Sequence, residues 1–345
     1  MDAAFARAVA LDPKFAPFHI HLVDLGFARG DSLLASIRLE RYGELAPGSL
    51  FDRRGRLQFA LAYGDAGARG AAAVQLEGLE VEDLHPLAGH YLNACCWHAQ
   101  EAVLREMRER GDPAASSHAT GMLASGALHH GQLELGLELY AEPGVDPMDR
   151  ACHLSAFYVL GFPIPEERMD EWLAPGALAA TVGVEPACRA FYAGQRGRWD
   201  RFDRVVDHYR SLETEAGEYA GSPSPGVVLA SLRGFELWKR GQTRAALPLV
   251  EEAFRAGAFG LWLGQIYQEL GRLEEAARFY AAHWATPLAY LELGRVYERL
   301  GETAKARKAY ETFVSAWDDA DPGMRAWVDE AVSGIFRTSD RLEAN

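Results

Sequence analysis

The residues of this 345-residue chain best equipped for chemistry are the histidines and cysteines at His85, His90, Cys95, Cys96 and His98. On a helix Cys95 and His98 are three positions apart and share a face, so a thiolate and an imidazole come together as ligands for Zn²⁺. The pattern stops short of a site: His90 is two turns from His98, no CxxC pair exists, and structural zinc takes four ligands. Adjacent cysteines in an Ala-rich helix beside Trp97 read better as small buried hydrophobes. His19 and His21 are two apart, a spacing that sends helical side chains to different faces. His129 and His130 precede Gly131 in what reads as the last turn of a helix, where a partly charged imidazole meets the negative end of the helix dipole. The run Gly64-Asp65-Ala66-Gly67-Ala68-Arg69-Gly70 has the glycines of a phosphate loop, but no strand pattern leads into it and no Lys-Ser/Thr follows. It reads as a helix-connecting turn. With no GxSxG, HExxH or paired carboxylates in a recognisable setting, the chain is expected to be no enzyme, with no catalytic residue, metal or cofactor to assign.

What must position any functional surface is a repeat. Gly234, Gly264 and Gly294 are 30 residues apart, as are Gly241, Gly271 and Gly301, and Ala246, Ala276 and Ala306. Leu237, Tyr267 and Tyr297 follow the same step, and so do Val250, Tyr280 and Tyr310. Each period predicts two antiparallel helices. In residues 290–300 the apolar or small positions 290, 293, 294, 297 and 300 fall on one helical face. Gly301 then ends the helix where a positive φ is cheap. The glycine inside each first helix costs about 1 kcal/mol against alanine, so it reads as a point of close helix approach. The alanine column of the second helix is expected opposite it. Tyr297 is expected to fill the space beside that contact and Tyr310 to wedge against the following unit.

These columns resemble the tetratricopeptide repeat, a helix-turn-helix unit with a small residue within its first helix, aromatics in fixed places and a Pro at the junction. The strongest resemblance runs from Ala289 to Pro322, the next through Leu263 to Tyr280, and a weaker one surrounds Gly234. The step of 30 departs from the family's 34. At the other end of the chain, Pro13 and Pro47 are 34 apart, and residues 15–47 read as one complete unit with Leu22, the Gly30-Asp31 turn and Ala35. Residues 1–13 then supply only a second helix, which suggests either an upstream segment or a lone capping helix. No strand pattern is found, so the expected fold is all-α: helix pairs stacked as a right-handed superhelix of the tetratricopeptide type.

The expected organisation is 1–83, N-terminal repeats; 84–212, degenerate repeats; 213–226, a Gly/Ser/Pro-rich loop or hinge; 227–321, three 30-residue repeats; and 322–345, a cap and tail. Within the middle, residues 86–110 read as one long helix, residues 161–175 as a break in the array, and 324–336 as the last helix. The resemblance implies a peptide groove lined by first helices. Counting one and four residues past the small column nominates Phe235, Trp238, Gln265, Gln268, Arg295 and Glu298, with core packing as the competing reading for the two aromatics. The Lys/Asn clamp by which some repeats of this family hold a C-terminal carboxylate is absent.

Thirty-five basic against 49 acidic residues give a formal charge of −14, which opposes DNA and anionic membranes and favours a protein or peptide partner of basic or mixed charge. Four cysteines are few for a disulfide framework, and no apolar run is long enough to cross a membrane. A reducing cytoplasm is therefore expected. The resemblance extends to the repeat regions of bacterial multidomain signalling proteins and implies a noncatalytic interaction module. A ligand sensor or enzyme using the concave cavity is the alternative, as is a scaffold that self-associates through the N-terminal half-repeat.

Overall fold

The computed structural model describes residues 2–28, 31–88, 97–173, 184–215, 223–257, 262–282 and 286–343. They form twenty α-helices and one 3-10 turn, with no strand among the described residues. The all-α, helical-repeat reading stands. The helices group into two compact units, residues 1–144 with 283–294 and 307–345, and residues 145–282 with 295–306.

The first unit opens with α1 (Asp2–Leu11), α2 (Ala16–Ala28), α3 (Ser32–Leu45), α4 (Leu50–Tyr63), α5 (Ala66–Glu77), α6 (Val81–Ala88), α7 (Trp97–Arg110), α8 (Pro113–His129) and α9 (Leu133–Ala141). Their starts are written locally. Asp31, Ser49, Asp65 and Asp112 each accept backbone N–H bonds from the first turn they precede, satisfying donors that a helix cannot satisfy itself. α2 packs on α3 as the complete N-terminal repeat requires. A Cβ on Gly26 would overlap Ala35. The glycine run 64–70 is corrected: Asp65 caps a helix, and Gly67 and Gly70 lie inside α5 rather than in a turn. Of the single helix expected over 86–110, residues 86–88 end α6 and α7 runs from Trp97, while residues 89–96 lie outside the described residues.

The second unit holds α10 (Pro147–Val159), α11 (Glu166–Trp172), α12 (Glu185–Gln195), α13 (Trp199–Glu215), α14 (Pro225–Lys239), α15 (Thr243–Arg255), α16 (Leu263–Glu269) and α17 (Leu273–Ala282). Asp146 caps α10, with Pro147 in its first turn. The break expected at 161–175 is itself partly helical, since α11 occupies 166–172. Residues 216–222, the heart of the expected hinge, and 174–183 lie outside the described residues. α18 (Pro287–Leu300) and α19 (Thr303–Ala316) each contribute to both units, and α20 (Arg325–Glu343) belongs to the first. α20 continues past the expected end near 336, and Thr338 is buried within it.

The second unit also carries a cross-link that the cysteine count did not suggest. Cys152 on α10 and Cys188 on α12 form a disulfide with Cα atoms 4.8 Å apart, although 36 residues separate them in sequence. α10 and α12 pack directly on each other while α11 occupies the connection, so wide spacing along the chain is no bar to pairing. A disulfide belongs to oxidising surroundings, which removes the ground for expecting a reducing compartment. Reduction should lower stability by about 2–4 kcal/mol, because it frees a loop of this length in the unfolded chain. Denaturation with and without reductant measures this, and a Cys152→Ala, Cys188→Ala variant should match the reduced protein. Identical midpoints with and without reductant would show that the link contributes nothing.

Candidate groove of the helical repeats

The repeat positions its surface through three glycine turns and three glycine contacts. Gly241, Gly271 and Gly301 have φ of 76°, 72° and 75°, so each first helix ends in a left-handed turn that a side chain would strain. Within the helices, a Cβ on Gly234 would overlap Val250, one on Gly264 the Tyr280 ring, and one on Gly294 the Tyr310 ring. The close approach is real, but its partner differs from the expected one. The bulky residue 16 positions later meets the missing side chain's space first, and Ala246, Ala276 and Ala306 are buried. Tyr310 also meets Gly334 on α20, so the wedge against the following helix stands beside its contact within the repeat.

Burial repeats with the sequence. Leu263, Gly264 and Ile266 are buried, as are Leu293, Gly294 and Val296; Gln265, Tyr267 and Gln268 are half-buried, as are Arg295, Tyr297 and Glu298. The first repeat breaks this pattern at two positions. Phe235 has no exposed surface and Trp238 keeps 7%. The Phe235 ring centroid lies 5.0 Å from Phe191, 5.3 Å from Trp262 and 5.9 Å from Trp238. Both aromatics are therefore core residues, and the nomination of Phe235 and Trp238 as groove residues is corrected. Counting from the glycine column assumed the same neighbours in every repeat. Here aromatics from α12 and α13 cover the face that Gln265 and Gln268 leave open on α16.

The half-open columns are polar and firmly placed. The Gln268 amide nitrogen is 3.0 Å from the hydroxyl of Tyr280, the residue that fills the space beside Gly264. The Tyr267 hydroxyl donates to Glu251 at 2.7 Å, and the Arg272 guanidinium sits 5.0 Å from the Tyr267 ring centroid. Burial and the Glu251 carboxylate push the Tyr267 hydroxyl up to about 12, so it stays a donor. The Lys305 ammonium lies 5.4 Å from the Tyr297 ring centroid and pairs with Glu302. Tyr297 is half-exposed and is not the core filler expected of it.

One arrangement escaped the sequence reading. The Trp238 indole N–H donates to Glu269 at 2.9 Å, and the Thr243 hydroxyl donates to the other oxygen of the same carboxylate at 3.0 Å. The Lys239 ammonium lies 3.6 Å from the Trp238 ring centroid and 5.5 Å from that of Phe235. The 30-residue step held the signal, because Lys239 and Glu269 occupy equivalent places in successive repeats.

The other chemical candidates resolve into structure. His130 is buried, with Nδ1 2.8 Å from the Ala316 carbonyl and its ring stacked on Trp97. Burial lowers its pKa, so the neutral imidazole, not the expected partly charged one, occupies the helix end. His19 is buried with Nε2 3.1 Å from the Pro13 carbonyl, and His98 Nε2 is 3.0 Å from the Leu61 carbonyl. His90, Cys95 and Cys96 lie outside the described residues. No group of three or more metal-ligating side chains comes together among the described ones. Asp170 accepts from Arg198 and from the Tyr192 hydroxyl. The Arg198 hydrogen bond holds its carboxyl at about 2, so it is a fixed anion rather than a proton donor. No helix of the described residues is long and apolar enough to cross a membrane.

Two family models, each described as tetratricopeptide repeat, match the chain at residues 261–282 and 288–320. These are the helix pairs α16–α17 and α18–α19, with the glycine and aromatic columns described above. No curated protein matches the chain. The family matches, the periodic glycine contacts and the all-helical build agree, and residues 261–282 and 288–320 are tetratricopeptide repeats.

Proposed function

We propose that this protein is a noncatalytic interaction module that holds a peptide or partner protein across α16 and α18. The observation that carries the reading is the burial pattern. Gln265 and Arg295, and Gln268 and Glu298, are equivalent positions of successive repeats that stay half-open while Leu263, Gly264 and Ile266, and Leu293, Gly294 and Val296, on the same helices are buried. All four lie in the second unit. Two amides, a guanidinium and a carboxylate can bond backbone groups and both signs of charge, which suits a partner of mixed charge. Arginine is among the residue types that dominate binding energy at interfaces. The resemblance of its repeats to those of bacterial multidomain signalling proteins supports reading the module as part of a larger signalling or regulatory protein.

Capture of partners from lysate of the native host, compared between wild type and a Gln265→Ala, Arg295→Ala variant, tests this reading. The variant should retain its melting temperature, because neither side chain is in the core. Its partner recovery should fall by about tenfold or more, the loss expected when a hot-spot residue is truncated. Unchanged recovery with unchanged melting would reject the groove.

A further inference from the structure

We propose that the first unit holds a small-molecule site, a cavity between α2, α3 and α4 that takes a free α-amino acid with a branched apolar side chain. The cavity has a volume of about 60 Å³, room for about four to six water-sized groups. Its lining follows from helical spacing. Ile20, Val23 and Asp24 share a face of α2, Phe51, Arg54 and Gln58 share one of α4, and Leu39 joins them from α3.

The polar groups set among these apolar walls point to a ligand. Gln58 keeps only 7% of its surface exposed, and its amide forms no hydrogen bond among the described residues. A buried amide without a partner costs stability, so a wall built for packing alone would carry leucine here. Arg54 is placed in a similar way: one terminal nitrogen is held by Asp83 at 2.8 Å, while its Nε is buried without a partner. Asp24 brings the opposite charge to the same cavity, with 38% of its side chain exposed and His21 3.9 Å away. A guanidinium, an amide and a carboxylate around one apolar space match the two charges of an α-amino acid. Its carboxylate meets Arg54 Nε and the Gln58 N–H, its ammonium meets Asp24, and its side chain lies against Ile20, Val23 and Leu39. Phe51, 51% exposed, supplies an apolar ring for the ligand to cover. A purely aliphatic ligand would leave Gln58 and Arg54 unanswered, and a glycine-sized one would leave the walls bare.

The test adds L-leucine, L-isoleucine or L-valine to the intact chain and follows binding by titration calorimetry and by melting temperature. Glycine, which lacks the side chain, and isocaproate, which lacks the ammonium, are the comparators. At least one of the three amino acids should bind saturably and raise the melting temperature, with glycine and isocaproate weaker by about tenfold or more. Gln58→Leu should keep or raise the melting temperature of the free protein, because it removes an unpartnered amide, and should weaken binding by about tenfold. Asp24→Asn, at the more exposed position, should keep the fold and weaken the amino acid while leaving isocaproate unchanged. No saturable binding by any of the three, the result for a cavity that takes water only, would overturn the proposal. So would glycine or isocaproate binding as tightly as the best amino acid, or undiminished binding by either variant.

Discussion

Replacing Trp317 by alanine should destabilise the protein by about 3–5 kcal/mol, the cost of emptying a fully buried large side chain. It should also release a contact that spans 188 residues of sequence. Trp317 has no exposed surface, and its indole N–H donates to the His129 carbonyl at 2.8 Å. Around it, the segment after α19 is bonded to the α8–α9 turn at several points. The His130 ring reaches the Ala316 carbonyl, the Asp321 N–H donates to the Gly131 carbonyl at 3.0 Å, and the Asp321 carboxylate accepts the Glu134 N–H at 2.7 Å. That last bond caps the first turn of α9 with a side chain from the far end of the chain. Gly131 is needed twice over: its φ is 75°, and a Cβ there would press on Trp317 and Ala320. Trp317→Phe keeps most of the packing and loses the hydrogen bond, so it should cost about 1 kcal/mol plus the penalty of the unpaired His129 carbonyl. Chemical denaturation gives the energies. Hydrogen exchange at Glu134 gives the contact, and full protection of that amide in Trp317→Ala would show that the docking does not depend on the tryptophan.

That docking explains where sequence reasoning ends. The helix pairs of residues 225–316 were legible because each structural demand is met by a residue type with few substitutes. A positive φ calls for Gly241, Gly271 and Gly301, and a close approach calls for Gly234, Gly264 and Gly294; both columns recur at one step. What fills the space beside a glycine was less legible, since alanine and tyrosine columns run equally well in register and only packing chooses between them. The nominated groove failed at Phe235 and Trp238 for a related reason. Position in a repeat says which way a side chain points, but the next layer decides whether it meets solvent, and the degenerate unit that holds Phe191 and Phe202 did not tell that their rings pack on Phe235. The Cys152–Cys188 link and the Ala316–Asp321 docking are contacts between residues 36 and more than 180 positions apart. Neither leaves a periodic trace in the chain.

The glycine–tyrosine contact supplies the sharpest test of the register. The fully buried Tyr310 ring lies between Gly294 on α18 and Gly334 on α20, two positions with no side chain to move into a vacated space. Tyr310→Ala should therefore cost about 3–5 kcal/mol, because partial collapse of the cavity is what normally reduces such losses. Tyr297→Ala removes a ring that keeps part of its surface in solvent and should cost less, about 1 kcal/mol. Gly294→Ala puts a methyl group into the Tyr310 ring and should cost about 1–3 kcal/mol by overpacking. The double change Gly294→Ala, Tyr310→Ala should cost less than the sum, since the added methyl then has the vacated space to enter. Urea denaturation of the four variants measures the set. Equal losses at Tyr297 and Tyr310, or strict additivity of the Gly294 and Tyr310 changes, would mean that the two residues do not meet as the 16-residue offset requires.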